Sequence, residues 1–197
     1  MTEVLRVSGH AVTPYIEALA GLRMRVFREF PYLYDGAIDY EMNYLESYTK
    51  SEQCVVVVAK NINGIIGAST GMPLAGADQA FKRPFEISGH NVGEVFYFGE
   101  SVLEQSERGM GIGHQFFDER ETHARALGFK VAAFCAVARA DDHPLRPSGY
   151  RALDDFWIKL GFVKRPDLIA ELAWPQIDNQ GLDVTNRLVF WLKSLAH

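Results

Sequence analysis

Between the apolar run Val95-Phe96-Tyr97-Phe98 and a later amphipathic segment, the chain carries Arg108, Gly109, Met110, Gly111, Ile112 and Gly113. A fixed positive charge beside three alternating glycines suits an anion. Where a helix starts at such a turn, its first backbone N–H groups lack partners within the helix, and its dipole puts partial positive charge at the same end. Glycine permits close backbone approach, so a phosphate set against the turn is favoured twice over. The bland alternative is a plain glycine-rich connection from strand to helix. Spacing excludes two familiar phosphate loops. A Walker A loop ends in Gly-Lys-Ser/Thr, whereas Gly113 is followed by His114 and Gln115. A dinucleotide fingerprint reads G-x-G-x-x-G, and here His114 stands where the third glycine belongs.

The segments around this turn must position it. Val95 to Leu103, rich in β-branched and aromatic residues, predicts a strand. Ile112, Phe116, Phe117, Ala124 and Leu127 recur at helical spacing, with Asp118, Glu119, Arg120 and Glu121 expected in solvent and Gly128 as a left-handed C-terminal residue. Upstream, Val4 to Val7 predicts a first strand. Thr13 as N-cap with Pro14 at the first helical position predicts a helix from Tyr15 to Phe30, stopped by Pro31. A second helix runs through Tyr40, Tyr44, Leu45 and Tyr48. Cys54 to Ala59 and Ile65 to Met72 read as a hairpin about Asn61-Ile62-Asn63-Gly64, and Leu74 to Asn91 as a loop. Lys130 to Ala138 is a further strand and the last lies near Arg187 to Leu192. The order is β-α-α-β-β-loop-β-α-β-α-β.

Arg108, Gly111 and Gly113 spell R-x-x-G-x-G, and downstream stands Phe156-Trp157-Ile158-Lys159-Leu160-Gly161-Phe162. The first pattern resembles the acetyl-CoA pyrophosphate loop of the GNAT N-acetyltransferase superfamily. The second resembles that family's helix ending in Leu-Gly-Phe, which leads into another strand, and the likeness spans nearly the whole chain. It implies an α/β (α+β) architecture, the GNAT acyl-CoA N-acyltransferase fold with a mixed central sheet flanked by helices, in a single domain over residues 1–197. It also implies acetyl-CoA as cosubstrate, with Val102 and Leu103 on the strand serving the pantetheine arm, Arg108 to Gly113 the pyrophosphate, and Trp157 also against the cofactor. The implied reaction is acetyl transfer to a primary amine of a small molecule or peptide, by direct attack in a ternary complex.

Such chemistry needs a base. A lysine-like amine has an unperturbed pKa of about 10.4, arrives protonated at neutral pH, and must lose that proton before it can attack. Glu100, on the strand that precedes the turn, is the first candidate and Glu94 the second. Regular alternation would put Glu94, Phe96, Phe98, Glu100 and Val102 on one face, while a bulge, common in this strand of the family, would change the side that Glu100 takes. A structural carboxylate paired with an arginine is the competing reading of Glu100. Many family members carry a tyrosine four residues before the glycine of Leu-Gly-Phe, able to protonate the leaving thiolate. Trp157 occupies that position, and an indole N–H is no useful acid, so Tyr150 becomes the candidate donor, with Tyr97 as the other.

On the acceptor side, Asp141 to Arg151 holds His143 and Arg146, an arginine fork suited to a carboxylate or phosphate, against the alternative that Arg146 pairs with Asp141 or Asp142. Phe30 to Gly36, which includes Tyr34, forms with Tyr40 and Tyr44 a candidate wall of the pocket, against the alternative that tyrosines at i, i+4, i+8 are a core-facing stripe.

Composition bounds the rest. A chain of 197 residues, 48% hydrophobic, can bury one substantial core. A net charge of −5 argues against nonspecific nucleic-acid binding and is compatible with a cationic acceptor. Cys54 and Cys135 lie in apolar runs and read as buried thiols; no histidine spacing suggests a metal. No signal-like or membrane-spanning run is evident, so the expected location is cytoplasmic, with no membrane partner and with a homodimer as an open alternative. Two other functions stay open: a non-catalytic acyl-CoA sensor of the same fold, and an unrelated α/β nucleotide-binding protein.

Overall fold

The computed structural model describes residues 2–196. Seven strands, β1 (Glu3–Val7), β2 (Val55–Asn61), β3 (Gly64–Pro73), β4 (Val95–Leu103), β5 (Val131–Val137), β6 (Val163–Pro175) and β7 (Asp183–Ser194), form one sheet of order β1-β2-β3-β4-β5-β7-β6. All neighbours are antiparallel except β4 and β5, which run parallel. The helices α1 (Ile16–Phe27), α2 (Ile38–Glu46) and α3 (Gln79–Ile87) cover one face, whereas α4 (Ile112–Ala126) and α5 (Asp154–Lys159) cover the other. The mixed sheet between two helical layers agrees with the fold expected from the sequence.

Each face is sealed by its own side chains. Under α4 and α5, Phe98, Phe116, Phe117, Phe134, Phe162 and Trp191 interlock, mostly edge to face. This is the arrangement aromatic quadrupoles favour. Under α1 and α2 the core is mostly aliphatic, with Leu19, Leu22 and Leu45 on Val56, Val58 and Ala68 and with Phe27 and Tyr48 buried beside them. Cys54 and Cys135 are buried and unpaired.

Several elements differ from the sequence reading. Pro14 lies inside a 3-10 turn spanning Gly9–Tyr15, so α1 begins at Ile16 and not at a Thr13 cap. It also ends early, at Phe27. The segment that follows is recruited to the β6–β7 connection, where Asp35 N–H donates to Pro175 and Ile177 N–H donates to Leu33. The stretch expected as loop after Leu74 contains α3, capped by the Asp78 side chain accepting from Ala80 N–H at 2.8 Å. Pro84 within it hid the helix: it deletes one N–H and keeps α3 short, yet Phe85 still buries completely. The chain also has a full strand, β6, ahead of the last one. Its pattern is masked by Pro166 and by the register shift between Arg165 and Ile169, both tolerated because β6 is an edge.

Arg120 and Glu121 require correction as well. Both were expected in solvent, and both are buried. Glu121 takes a bidentate ion pair from Lys193 at 2.7 Å, and Arg120 reaches into the sheet.

Candidate active site

Two irregularities in β4 create the site. The first is a bulge. β3 and β4 pair Ser69 with Ser101 and then Gly71 with Phe98, so Gly99 and Glu100 together oppose Thr70. Side-chain parity changes there. Phe96 and Phe98 enter the core beneath α4, whereas Glu100 and Val102 turn to the side of α1 and α2, and Ser101 and Leu103 to that of α4. The second irregularity is a splay. β4 pairs with β5 only over Val95 to Tyr97 against Val131 to Ala133, so beyond Tyr97 the edge of β4 on the β5 side leaves the ladder.

The released edge of β4 runs on to the glycine turn. Gly109 and Gly111 both have φ +83°, which side-chain-bearing residues rarely adopt, and a Cβ on either would meet nothing within 4 Å. Gly111 is the N-cap of α4, and its carbonyl takes the N–H groups of His114 and Gln115 at 3.1 and 3.3 Å. The preceding N–H groups of Ile112 and Gly113 are left for an outside acceptor. A Cβ on Gly113 would touch the Phe156 ring at 3.5 Å, so α4 and α5 meet closely at this point. The Arg108 guanidinium donates to Leu103 O at 3.0 and 3.1 Å and pairs with Glu29 at 2.8 Å, in a half-exposed position where an incoming anion can compete. Met110 is exposed beside it. An open, doubly left-handed turn, free helical N–H groups and one displaceable cation fit a pyrophosphate.

Glu100 sits at the bulge in a buried ionic cluster. Arg23 of α1 pairs with both Glu100 and Glu41 of α2, and the three side chains are 9% exposed or less. Tyr44 of α2 donates to Glu100 Oε2 at 2.9 Å, and the Arg23 guanidinium lies 4.3 Å from the Tyr44 ring centroid. Burial opposes the Arg23 charge, but Glu100, Tyr44 and Glu41 outweigh it and hold the guanidinium pKa above its ordinary value. Burial, then the neighbouring Glu100, push the Tyr44 phenol well above its usual range, so it stays a donor at any working pH. On the far side of the strand, Arg120 donates to Thr70 O at 3.3 Å, Glu100 O at 3.2 Å and Ser101 Oγ at 2.9 Å, and packs over Phe98. The bulge is thus gripped from both faces.

The other candidates lie on several different elements. Glu94 lies in the 3-10 turn ahead of β4, at the end away from the glycine turn, and pairs with Lys130 at 2.6 Å. Tyr97 points into the opposite core and contacts Cys135 Sγ at 3.3 Å. Tyr150, in the long connection after β5, packs edge-on against Phe30 at 4.7 Å, and burial raises its pKa. His143 lies in the same connection, 5.6 Å from the Phe30 ring and 3.7 Å from Asp178. Arg146 pairs with Asp141 at 2.5 Å, as the alternative reading of that loop allowed. Tyr34 bridges to Gln176 in the loop wall. Trp157 packs between Phe134 and Trp191, with its ring in the core beneath α5.

Sequence reasoning missed Arg23, Glu41 and Arg120. A signal existed for Arg23, which occupies the apolar stripe of α1 between Leu19 and Phe27, where a cation requires a buried partner. Tyr32 belongs to the stretch expected as a pocket wall, and its carbonyl takes both Arg139 and Trp174 Nε1 at 3.1 Å, pinning that loop. Among the described residues no group of histidines, cysteines and carboxylates could hold a metal, and no helix is long and apolar enough to cross a membrane.

No protein-family model matches the sequence, and no curated protein matches it. Solved structures do match the fold over its full length. A ribosomal-protein-alanine N-acetyltransferase from Brucella melitensis superposes with TM-score 0.61 at 18% identity, covering 96% of this chain and 99% of its own. An acetyltransferase of the GNAT family from Streptococcus pneumoniae gives 0.58 at 15%, covering 98% and 100%. An aminoglycoside 6'-N-acetyltransferase complexed with coenzyme A gives 0.59 at 14%, covering 98% of each chain. The fold of this chain is that of the GNAT acetyltransferases.

Proposed function

On this scaffold we propose that the chain transfers an acetyl group from acetyl-CoA to a primary amine of a small molecule or peptide. The observation that carries the reading is the open, doubly left-handed glycine turn at the start of α4, which follows the edge of β4 released from β5 beyond Tyr97, with a buried carboxylate at the bulge. Bound there, acetyl-CoA supplies an electrophilic thioester carbonyl. The chain's own residues do the rest. The N–H groups at the start of α4 bind the pyrophosphate together with Arg108, which exchanges Glu29 for it, and the free edge of β4 at Val102 and Leu103 lies along the pantetheine arm. Glu100, turned out of the α4 core by the bulge, accepts the ammonium proton directly or through one water. Tyr150 holds its phenolic proton available to the departing sulfur. Tyr34, His143 and Arg146 border the acceptor side. The CoA complex in the structural relatives supports the donor, and their acceptors belong to those proteins alone.

Thermal-shift titration tests the donor. CoA at about 100 times its dissociation constant is expected to stabilise the protein by roughly 2.7 kcal/mol, a rise of several degrees, with no rise from ATP or NAD. Stabilisation by ATP or NAD and not by CoA overturns the reading. An amine panel followed by free CoA release tests turnover, and tight CoA binding with no turnover on any amine would instead indicate an acyl-CoA sensor. Arg108→Ala should raise the CoA dissociation constant about tenfold, roughly 1.4 kcal/mol. That is at the low end for a charge-assisted contact, because the side chain is half exposed and gives up Glu29 on binding.

A further inference from the structure

Glu100 is held by more than Arg23 and Tyr44. Tyr44 Oη lies 2.9 Å from Tyr48 Oη, Thr70 Oγ1 donates to Tyr48 Oη at 3.1 Å, and the Glu100 backbone N–H donates to Thr70 Oγ1 at 3.3 Å. One assignment of protons satisfies every contact. An ionised carboxylate only accepts, so Tyr44 spends its single proton on Glu100 Oε2. The proton between the tyrosines must then be that of Tyr48, and the Tyr48 oxygen is left to accept from Thr70. Thr70 in turn accepts from the backbone of Glu100. The bonds therefore run one way, from the amide of Glu100 through three hydroxyls to its own carboxylate, and close a ring through a single residue.

The backbone makes room for this ring. Gly99 lies directly beneath it, and a Cβ there would sit 2.6 Å from Thr70 Oγ1 and 2.8 Å from Tyr48 Oη. Tyr48 and Thr70 are at most 1% exposed, so no water competes with the bond between them. In a dry interior, bonds aligned head to tail polarise one another in the same sense, here toward the carboxylate. We propose that Tyr44, Tyr48 and Thr70 are positioning residues: a one-way hydroxyl ring, made possible by the missing side chain of Gly99, that locks the direction in which Glu100 presents its carboxylate. The inference rests on the reading of Glu100 as the base.

The charged and titratable groups facing Glu100 are Arg23 from α1, Glu41 and Tyr44 from α2, Tyr48 from the turn after it, Arg120 from α4 at the backbone carbonyl, and Tyr32 from the loop between α1 and α2. Tyr44→Phe removes a donor to the charged carboxylate and is expected to lower kcat about tenfold with the KM for acetyl-CoA unchanged, and Thr70→Val to act in the same direction more weakly.

A second readout needs no turnover. In protein labelled with 13C at glutamate carboxyls, the Glu100 resonance should shift in Tyr44→Phe and in Thr70→Val while CoA still stabilises both variants. A folded Tyr44→Phe protein with unchanged kcat and carboxyl resonance overturns the ring. If Tyr44→Phe does not fold, an unshifted resonance in Thr70→Val overturns it. If the resonances shift but no amine is acetylated by the unmodified protein, the ring stands and the acetyltransferase reading falls.

Discussion

Glu100→Gln is expected to lower kcat by about 10²- to 10³-fold while changing CoA affinity by less than about twofold. The substitution keeps the shape of the side chain and removes its capacity to take a proton. The pyrophosphate contacts lie on the turn and on the start of α4, away from the carboxylate, so binding has no direct reason to change. A cost in stability accompanies it. Arg23 is buried and shared between Glu41 and Glu100, so neutralising one partner leaves its guanidinium with half its compensation. A lower melting temperature is therefore expected in the variant and does not bear on the assignment. The ratio between the two binding and rate measurements does. Initial rates at saturating acetyl-CoA and a calorimetric CoA titration supply them. If affinity and turnover fall together, Glu100 holds the bulge in place and some other group takes the proton.

Arg120→Met should destabilise the protein by about 3 kcal/mol or more, lowering the melting temperature by roughly 6 to 12 °C. Replacing a buried charge by an apolar group is often harmless, since it removes a desolvation penalty. Burial does work against Arg120, pulling its pKa below the ordinary arginine value. The partners decide the balance here. They are the carbonyls of Phe116 and Thr70, in buried contacts, and the carbonyl of Glu100 and the hydroxyl of Ser101, in part-buried ones. Each abandoned buried acceptor costs on the order of 1–3 kcal/mol, and the contacts with Phe98 and Phe117 add to that loss. Methionine retains most of the packing, so the measured drop reports chiefly the polar contacts. A thermal or urea melt gives the answer, and a change below about 2 °C would mean that the bulge stands without Arg120.

Both experiments concern residues that the sequence exposed unequally. The glycine turn was legible because its chemistry is local: the φ of Gly109 and Gly111 and the start of α4 depend on a few consecutive residues. So was the C-terminus of α4, where Gly128 adopts φ +81° and Phe129 N–H returns to Ala124 O at 3.0 Å. The helix α3 was hidden because one proline outweighs a single buried phenylalanine in any local count. Arg120 was misassigned because a charged residue between Glu119 and Glu121 reads as solvated, and only the close approach of α4 to the bulge supplies partners for it. The ring of Tyr44, Tyr48 and Thr70 draws on α2, the turn after it, and β3, so no window of sequence contains it. Tyr40 shares the helical spacing of the other two tyrosines and is 63% exposed, which shows how little spacing alone decides.

By itself the sequence determined the order of elements other than α3 and β6, the glycine turn and the resemblance that suggests its ligand, because each rests on short-range backbone preference and periodic burial. Tertiary structure alone decided where Glu100 points and what surrounds it. A single extra residue at Gly99 reverses the side-chain parity of β4, and whether that residue is accommodated depends on groups from α1, α2, α4 and β3 meeting at one place.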